Sequence, residues 1–196
     1  GRTGRCSAVR AVGAVAGGGG VGEAVGDVVI KRRGDGEREG DRIYALIQSS
    51  AGSSDGKSLG LTAPRMEGQV RAMERAYERL PFGPSRVGLV EAHGTGTVVG
   101  DRTELASMTQ VFQADGAAPA SCTLGSVKSQ IGHTKCAAGI VSLIKGALSL
   151  HHRVLPATLG IERPNRGHQA EDSPFQFRRT SAPWPKPEAE IGRAHV

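Results

Sequence analysis

Two histidines in this sequence each lie in a loop of small residues that follows a strand-like apolar run. His93 lies in the segment EAHGTGT at residues 91–97, and His133 lies in GSVKSQIGHT at residues 125–134. A neutral imidazole donates one hydrogen bond, so two of them can bracket an oxygen on which negative charge grows. Each loop follows a predicted strand and precedes a predicted helix, which is where α/β sheets bind ligands. A single such histidine is typical of a structural residue, but the pair predicts a catalytic site.

Three more polar side chains in these loops are candidates for the same site. Lys128 lies five residues before His133 and can bind a carboxylate or orient the imidazole. Thr95 and Thr97 alternate with glycines, so their hydroxyls can line a narrow channel and bond the amide groups of a long, thin substrate. Because His133 starts a predicted helix, the helix dipole disfavours a second proton on its ring. We therefore expect His133 to be a neutral hydrogen-bond donor near pH 7.

Apolar periodicity predicts alternating strands and helices around these loops. The predicted strands lie at residues 25–33, 42–51, 86–91 and 121–128. The predicted helices lie at residues 65–80, 101–112 and 134–150. Asp101 and Glu104 form a capping-box pattern at the start of the second helix, and the third is apolar nearly all round, so we expect it to be buried. Residues 34–41 are predicted as a charged turn, and the proline-rich residues 156–188 as an irregular surface segment. The alternation predicts an α/β layered domain.

The composition limits the classes of function. A chain of 196 residues is long enough for one domain with a buried core. The formal net charge of +6 suits an acidic partner, but no nucleic-acid motif accompanies it. Cys6, Cys122 and Cys136 lack the pair spacing of a zinc site or a disulfide framework, which favours a reducing, cytoplasmic setting without a metal. Lys145 interrupts the longest apolar run, so no membrane span is predicted.

Taken together, the two histidine segments resemble those of the β-ketoacyl synthases, in particular the ketosynthase domains of polyketide and polyunsaturated fatty-acid synthases. The likeness runs over about residues 22–159 and includes GDRIYA at residues 40–45, DGKSLGLTAP at residues 55–64 and LPATL at residues 155–159. The resemblance implies a thiolase-like layered fold, of which this chain would form the C-terminal half, with a mixed sheet and buried helices. The implied divisions are the end of the N-terminal half, the C-terminal half and a proline-rich segment, at residues 1–40, 41–160 and 161–196.

The resemblance also implies an activity, a partner and a role for each candidate residue. The activity is an acyl transfer to cysteine followed by decarboxylative Claisen condensation of acyl and malonyl-type thioesters on an acyl carrier protein. His93 and His133 would support decarboxylation and stabilise the enolate and thioester oxygens, and Lys128 would organise the second histidine. Thr95 and Thr97 would contact the phosphopantetheine arm that the carrier protein brings, so no cofactor is bound directly. The parent acyltransferase is expected to be a cytoplasmic homodimer with no nucleic-acid partner.

The sequence departs from this family at several places. The family's nucleophilic cysteine lies in a motif upstream of every segment matched here, and none of the three cysteines stands in such a motif. Residues 7–21 match poorly. The GFGGTN loop expected near the end is replaced by residues 191–195, where His195 is either a remnant of that region or a coincidence. We therefore expect a fragment that holds the decarboxylation apparatus and is inactive alone.

Other interpretations stay open. Without a cysteine nucleophile, the chain can be a non-catalytic structural or dimer-forming half-domain. Residues 51–58 fit a relaxed phosphate-loop pattern for a nucleotide-binding protein, although Gly60 and Pro64 interrupt the helix that such a loop must enter. Residues 17–22 match a dinucleotide fingerprint, but a strand-like segment follows them where a helix is required. A cysteine motif upstream in the parent reading frame would indicate an active synthase, and its absence a scaffold.

Overall fold

The computed structural model describes residues 20–56, 63–162, 164–165, 167–185 and 192–196. The α-helices in these residues are α1 Arg33–Glu39, α2 Met66–Tyr77, α3 Val98–Ala114, α4 Lys128–Ile131 and α5 Ala138–His152. The strands are β1 Leu89–Glu91, β2 Cys122–Gly125, β3 Val154–Leu155, β4 Phe175–Gln176, β5 Ala182–Pro183 and β6 Ala194–His195. None of the helices in these ranges is long and apolar enough to cross a membrane.

A parallel sheet forms the middle layer, with its strands in the order β4-β2-β1-β6. In the pairing of β1 with β2, Val90 lies beside Leu124 and Glu91 lies beside Gly125. Both strands are buried at every residue, as is typical of parallel strands that are covered on both faces. β3 and β5 form a separate antiparallel pair. The predicted α/β fold is confirmed. The prediction of a mixed sheet is wrong for the described residues, because the four-stranded sheet is all parallel and the antiparallel strands pair separately.

Helices α2 and α3 cover one face of the sheet. Val70 and Met73 on the apolar side of α2 are buried in a core cluster that includes Val90 of β1. Phe112 of α3 is fully buried, and its ring centroid lies 4.9 Å from that of Phe175 on β4. Full burial of each such side chain stabilises the fold by about 1.5–3 kcal/mol, so this cluster anchors α3 on the sheet. The amphipathic helix predicted at residues 65–80 is thereby confirmed, with slightly shorter ends.

Helix α5 covers the opposite face through a side made of small residues. Its buried positions are Ala138, Ser142, Gly146 and Ser149. A Cβ added to Gly146 would lie 2.8 Å from the Val196 side chain, so the glycine allows a close approach to the end of β6. The prediction that this helix is buried is correct for one side only, because Leu148 is 41% exposed. The small side of the helix packs on the sheet, which leaves the larger apolar side chains partly exposed.

The strands predicted at residues 25–33 and 42–51 do not form. Val25 is 95% exposed, and no strand among the described residues pairs with either segment. A strand needs a neighbour for its backbone hydrogen bonds, and a local apolar pattern does not provide one. Residues 34–41, predicted as a charged turn, instead contain most of α1. That helix ends at Gly40, whose φ of 73° is left-handed and suits a glycine at a helix C-terminus.

Helix α3 begins earlier than the sequence predicts. Its first residue is Val98, three residues before the predicted start at Asp101. The Thr97 side chain caps the helix, because its hydroxyl oxygen accepts the backbone N–H of Gly100 at 3.2 Å. The capping-box prediction is therefore wrong, and Asp101 and Glu104 are free to serve the loop that precedes the helix.

The segment around Lys128 and His133 is more helical than predicted. β2 ends at Gly125, and the short helix α4 begins at Lys128, inside the predicted strand. The helix predicted from residue 134 begins at Ala138, after a 3-10 turn at Lys135–Ala137. His133 therefore lies between two helical segments and not in the first turn of α5.

The end of the chain also differs from its prediction. The described part of residues 191–195, predicted to replace a loop, contains β6, which pairs with β1 in parallel. The Tyr77 hydroxyl lies 3.2 Å from Nδ1 of His195, and the two rings stack with centroids 5.8 Å apart. Desolvation lowers the pKa of His195. This histidine therefore joins the edge strand to α2 and has a structural role.

Candidate active site

The His93 loop is held by two carboxylates from helix α3. Glu104 accepts hydrogen bonds from the backbone N–H groups of His93 and Gly94, at 2.7 and 2.9 Å. Asp101 accepts the N–H of Gly96 at 3.1 Å. Gly94 and Gly96 have φ values of 47° and 79°, in the left-handed region that favours glycine. Because successive amides are bound in this way, the loop presents the imidazole from a fixed backbone.

The backbone of His133 is held on both sides by the segment at residues 20–22. Its N–H donates to the carbonyl of Gly20 at 2.9 Å, and its carbonyl accepts the N–H of Gly22 at 3.2 Å. A Cβ added to Gly22 would lie 2.1 Å from a backbone carbonyl oxygen of α4, and Gly132 has a φ of 81°. Glycine at both positions therefore permits this close approach of two chain segments.

The two loops bring the imidazoles of His93 and His133 together. The ring centroids are 5.5 Å apart, and the ring planes cross at 88°. Glu91 and Gly125, the last residues of β1 and β2, are direct neighbours in the parallel register. Both loops therefore leave the same edge of the sheet at adjacent points. The catalytic role of the two rings stays a prediction, but their side chains occupy one site.

The surroundings of both rings favour the neutral imidazole. Partial desolvation is the main cause of a lowered pKa of His93; the charge of Lys128 adds to it and Glu104 opposes it. Desolvation also lowers the pKa of His133, followed by the charges of Lys128 and Lys135. The backbone N–H of Lys135 donates to Nδ1 of His133 at 3.1 Å, so Nε2 carries the proton of the neutral ring. The expected helix dipole is not the cause, because α5 begins five residues after His133.

Lys128 is buried at the start of α4, near enough for its charge to act on both rings. Burial lowers the pKa of its ammonium group, while the negative charges of Glu91 and Glu104 oppose that shift. A partly desolvated cation beside two neutral imidazoles creates a positive field where negative charge can develop. The chemistry that this arrangement supports is stabilisation of an anionic oxygen.

Thr95 and Thr97 lie on the same loop as His93, and their hydroxyl oxygens are 3.2 Å apart. Because Thr97 already accepts the Gly100 N–H as a helix cap, its own O–H is left to donate. The next two residues, Val98 and Val99, are 74% and 66% exposed. This part of the loop therefore offers hydroxyl groups beside an exposed apolar surface, which suits a thin substrate with amide and hydrocarbon parts.

Sequence reasoning missed a buried ion pair next to the site. The carboxylate of Glu91 lies 2.7 Å from the ammonium group of Lys145 on α5. The same carboxylate accepts the backbone N–H of Val127 and lies 3.5 Å from the Ser142 hydroxyl. A signal for this pair existed in the sequence. A lysine on a helix that is otherwise almost wholly apolar needs a charged or polar partner when it is buried.

The two described cysteines lie in β2 and in the 3-10 turn before α5, so neither occupies a turn between a strand and a helix. Burial raises the pKa of the Cys122 thiol to about 12, so its thiolate is scarce near neutral pH. Cys136 is exposed on the 3-10 turn after His133, and Cys6 lies outside the described residues. Across the part of the chain that the structure describes, no group of three or more His, Cys, Asp or Glu side chains could hold a metal ion.

The two nucleotide-binding patterns can be followed only in part. Residues 57–58 of the phosphate-loop pattern and residues 17–19 of the dinucleotide pattern lie outside the described residues. Residues 51–56 are not helical, and residues 20–22 pair with the backbone of His133. The residues described after the dinucleotide pattern, 23–32, form no helix that could bind a phosphate, and the residues at which a phosphate-loop helix would begin lie outside the described part of the chain.

Comparison with known proteins identifies the family. Residues 44–162 match the family described as beta-ketoacyl synthase, C-terminal domain. The chain belongs to the β-ketoacyl synthase family. A polyunsaturated fatty acid synthase protein from Thraustochytrium sp. is 39% identical over 90% of the chain and 6% of its own length. Polyketide synthase GfsB from Streptomyces halstedii is 38% identical over 97% of the chain and 3% of its own length.

Solved ketosynthases show the same fold. The ketosynthase from module 6 of the bacillaene synthase from Bacillus subtilis 168 superposes with a TM-score of 0.81 at 38% sequence identity. The superposition covers 84% of this chain and 30% of that ketosynthase. The resemblance to ketosynthases and the predicted thiolase-like fold are thereby confirmed. This chain spans less than a third of that ketosynthase and a small part of each synthase.

Proposed function

We propose that this chain supplies the decarboxylating part of a ketosynthase active site, which joins an acyl thioester to a malonyl-type thioester on an acyl carrier protein. The observation that carries the proposal is the pair of imidazoles of His93 and His133, with centroids 5.5 Å apart at one edge of the sheet. Two N–H donors at that separation suit an oxygen that gains negative charge. Membership of the β-ketoacyl synthase family supports the same class of reaction.

The proposed reaction needs neutral imidazoles. The malonyl thioester loses its carboxylate as carbon dioxide, and the electron pair of the broken carbon–carbon bond forms an enolate. His133 donates its Nε2–H to the enolate oxygen, on which the negative charge develops. His93 donates a second hydrogen bond to the same oxygen. The enolate carbon attacks the acyl thioester carbonyl, a carbon–carbon bond forms and the cysteine thiolate leaves. An imidazolium would protonate the enolate, so the lowered pKa values of both histidines support this assignment.

The remaining candidate residues have supporting roles in this proposal. Lys128 organises His133, and its buried positive charge helps to keep both rings neutral. Thr95 and Thr97 hydrogen-bond the amide groups of the phosphopantetheine arm, which arrives with the carrier protein. The exposed side chain of Val98 contacts the hydrocarbon part of that arm.

The acyl group requires a cysteine nucleophile, and the described cysteines do not offer one. Cys122 is buried with a raised thiol pKa, and Cys136 lies in a 3-10 turn and not between a strand and a helix, so we propose that the acylated cysteine lies outside the described residues. Because none of Cys6, Cys122 and Cys136 stands in the family's nucleophile motif, the 196-residue chain is inactive alone in this proposal and acts within a cytoplasmic, homodimeric acyltransferase. In this proposal residues 1–40 are the end of the ketosynthase N-terminal half, residues 41–160 form the C-terminal half, and residues 161–196 form a proline-rich C-terminal segment.

A hybrid ketosynthase tests the proposal. Residues 20–196 of this chain would replace the equivalent segment of the bacillaene module 6 ketosynthase, and carbon dioxide release from a malonyl-loaded carrier protein would be measured. His133→Ala should slow decarboxylation at least about tenfold, which corresponds to about 1.4 kcal/mol of activation free energy. His152→Ala is the matched control, because that exposed imidazole lies at the far end of α5.

The two substitutions give a clear contrast. We expect His152→Ala to change the rate by less than about twofold, since exposed residues away from a site rarely matter. An active hybrid whose rate is the same with and without the His133 imidazole would contradict the proposed chemistry. A hybrid that folds by circular dichroism but releases no carbon dioxide would favour a structural half-domain.

A further inference from the structure

The carboxylate of Glu91 joins three parts of the fold at the buried end of β1. Its Oε2 atom lies 2.7 Å from Nζ of Lys145 on α5. Its Oε1 atom accepts the backbone N–H of Val127, and the Ser142 hydroxyl lies 3.5 Å from the same oxygen. The Glu91 side chain is fully buried, and that of Lys145 is 9% exposed. One carboxylate therefore connects the last residue of β1, the loop after β2 and the helix that covers the sheet.

The ammonium group of Lys145 also lies against the end of β2. Gly125 pairs with Glu91 in the register of the two strands. A Cβ added to Gly125 would lie 3.5 Å from Nζ of Lys145 and 2.8 Å from Oγ1 of Thr158. The backbone N–H of Ala92 donates to the Gly125 carbonyl at 2.8 Å. The ion pair thus lies beside the two points at which the histidine loops leave the sheet.

A buried ion pair is an inefficient way to gain stability. Removing both charges from water costs about as much as their attraction returns, and apolar side chains of similar volume often stabilise a fold equally well. A paired carboxylate does fix the direction of each group that it binds. Here one of those groups is the N–H of Val127, which directly precedes Lys128.

We infer that Glu91 and Lys145 are positioning residues, which fix the segment from Val127 to His133 and thereby hold the side chains of Lys128 and His133 in the site. This inference rests on the proposed function of that site. The carboxylate holds the residue before α4, and α4 carries the chain to the His133 turn. Loss of the pair should therefore loosen the hydrogen bond at Nδ1 that sets the tautomer of His133.

The tautomer of His133 provides a direct readout in the 196-residue chain. With nitrogen-15-labelled histidine, long-range proton–nitrogen correlation spectra report which ring nitrogen carries the proton. We expect the Nε2–H form of His133 to dominate in the unmutated chain. Glu91→Gln keeps the side-chain size but removes the charge, and the minor Nδ1–H population should rise at least about threefold. Lys145→Met should have the same effect.

A double variant guards against loss of folding. A single substitution leaves one charge buried without its partner, which strongly destabilises a fold. Glu91→Gln combined with Lys145→Met leaves no lone charge, so this variant carries the test if a single one unfolds. The matched control is Phe112→Leu, which weakens the core at the Phe112–Phe175 contact on the opposite face of the sheet.

The outcomes separate positioning from general stability. A changed tautomer in the Glu91 and Lys145 variants, with none in Phe112→Leu, would support the inference. An unchanged His133 tautomer in those variants, or an equal change in Phe112→Leu at matched loss of stability, would overturn it. Carbon dioxide release by the hybrid ketosynthase tests the reaction separately. If the tautomer shifts in the Glu91 and Lys145 variants but His133→Ala leaves the rate of carbon dioxide release unchanged, the proposed function is refuted and the positioning role stands.

Discussion

Removing the Glu104 carboxylate should release the His93 loop, and the structure sets the size of the effect. Glu104 binds the backbone N–H groups of His93 and Gly94 at 2.7 and 2.9 Å. Hydrogen bonds to charged groups contribute about 1.5–3 kcal/mol each when they are well buried. These amides lie at an exposed and a partly buried position, so about 1 kcal/mol each is the better expectation. Glu104→Ala should therefore lower the free energy of unfolding by about 2 kcal/mol.

Glu104→Gln should have a smaller and more specific effect. The amide side chain keeps one acceptor oxygen and gains an NH2 group that cannot accept, so one of the two loop amides loses its partner. The expected loss is about 1 kcal/mol. Desolvation and the charge of Lys128 lower the pKa of His93, and the negative charge of Glu104 partly opposes them. Removal of the Glu104 charge should therefore lower the pKa of His93 further. The second effect requires the carboxylate to lie beside the ring, which a purely structural role does not.

Urea unfolding and a proton NMR titration of the histidine rings measure the two effects. Glu74→Gln on α2 is the matched control, since Glu74 is an exposed helical glutamate, and we expect it to change stability by less than about 0.5 kcal/mol. If Glu104→Ala costs no more than the control, the carboxylate does not hold the loop. A His93 pKa that rises in Glu104→Gln would show that the sign of the charge effect is wrong.

Further predictions concern the backbone, the pH response and the thiols. Gly22→Ala should lower the free energy of unfolding by about 2 kcal/mol or more, because its Cβ would lie 2.1 Å from a carbonyl oxygen. Gly139→Ala, which meets nothing within 4 Å, should instead raise it by about 0.5 kcal/mol in the same urea experiment. Stability should decline as pH falls below about 6.5, because the lowered folded-state pKa values of the two site histidines and His195 let the unfolded chain bind more protons. Equal free energies of unfolding at pH 5 and pH 8 would contradict this. Iodoacetamide at pH 8 should label Cys136 well before the buried Cys122, and mass spectrometry of a time course would expose the reverse order.

The sequence predicts the site residues that lie in short local motifs. His93 and His133 each stand in a short segment whose residue types limit both the backbone and the chemistry. The glycines of these segments indicate tight turns, and Gly94 and Gly132 do have positive φ values. Parallel strands then explain why two loops far apart in sequence share one edge of the sheet. The residue types in the sequence and the strand order in the structure together account for the pair.

The groups that hold the two loops could not be predicted from the sequence, because they depend on contacts between distant residues. Glu104 matches a helix-capping pattern, and nothing local shows that its carboxylate turns back to bind the amide of His93, eleven residues earlier. The contact of residues 20–22 with His133 joins segments more than a hundred residues apart. Such partners follow from the packed fold, because the nearest buried acceptor satisfies each loop amide whatever its place in the chain.

Strand prediction fails where the apolar pattern has no partner in space. Residues 42–51 have a strong strand pattern, yet they form no ladder with any strand among the described residues. Residues 89–91 have a similar pattern, and they form β1 because β2 and β6 lie on either side. The difference between the two segments lies in their neighbours and not in their own residues.

The two histidines lie close together although the chain segments that join them to β1 and β2 differ in length. β1 and β2 end side by side at Glu91 and Gly125, but His93 follows its strand by two residues and His133 follows by eight. A loop of eight extended residues would carry an imidazole more than about 20 Å from the sheet edge. The helix α4 coils four of these residues, and Gly132, at a φ of 81°, turns the chain back. A change that unwinds α4 should therefore separate the rings even when every site side chain is intact, which is why the groups that fix the start of α4 matter as much as the histidines.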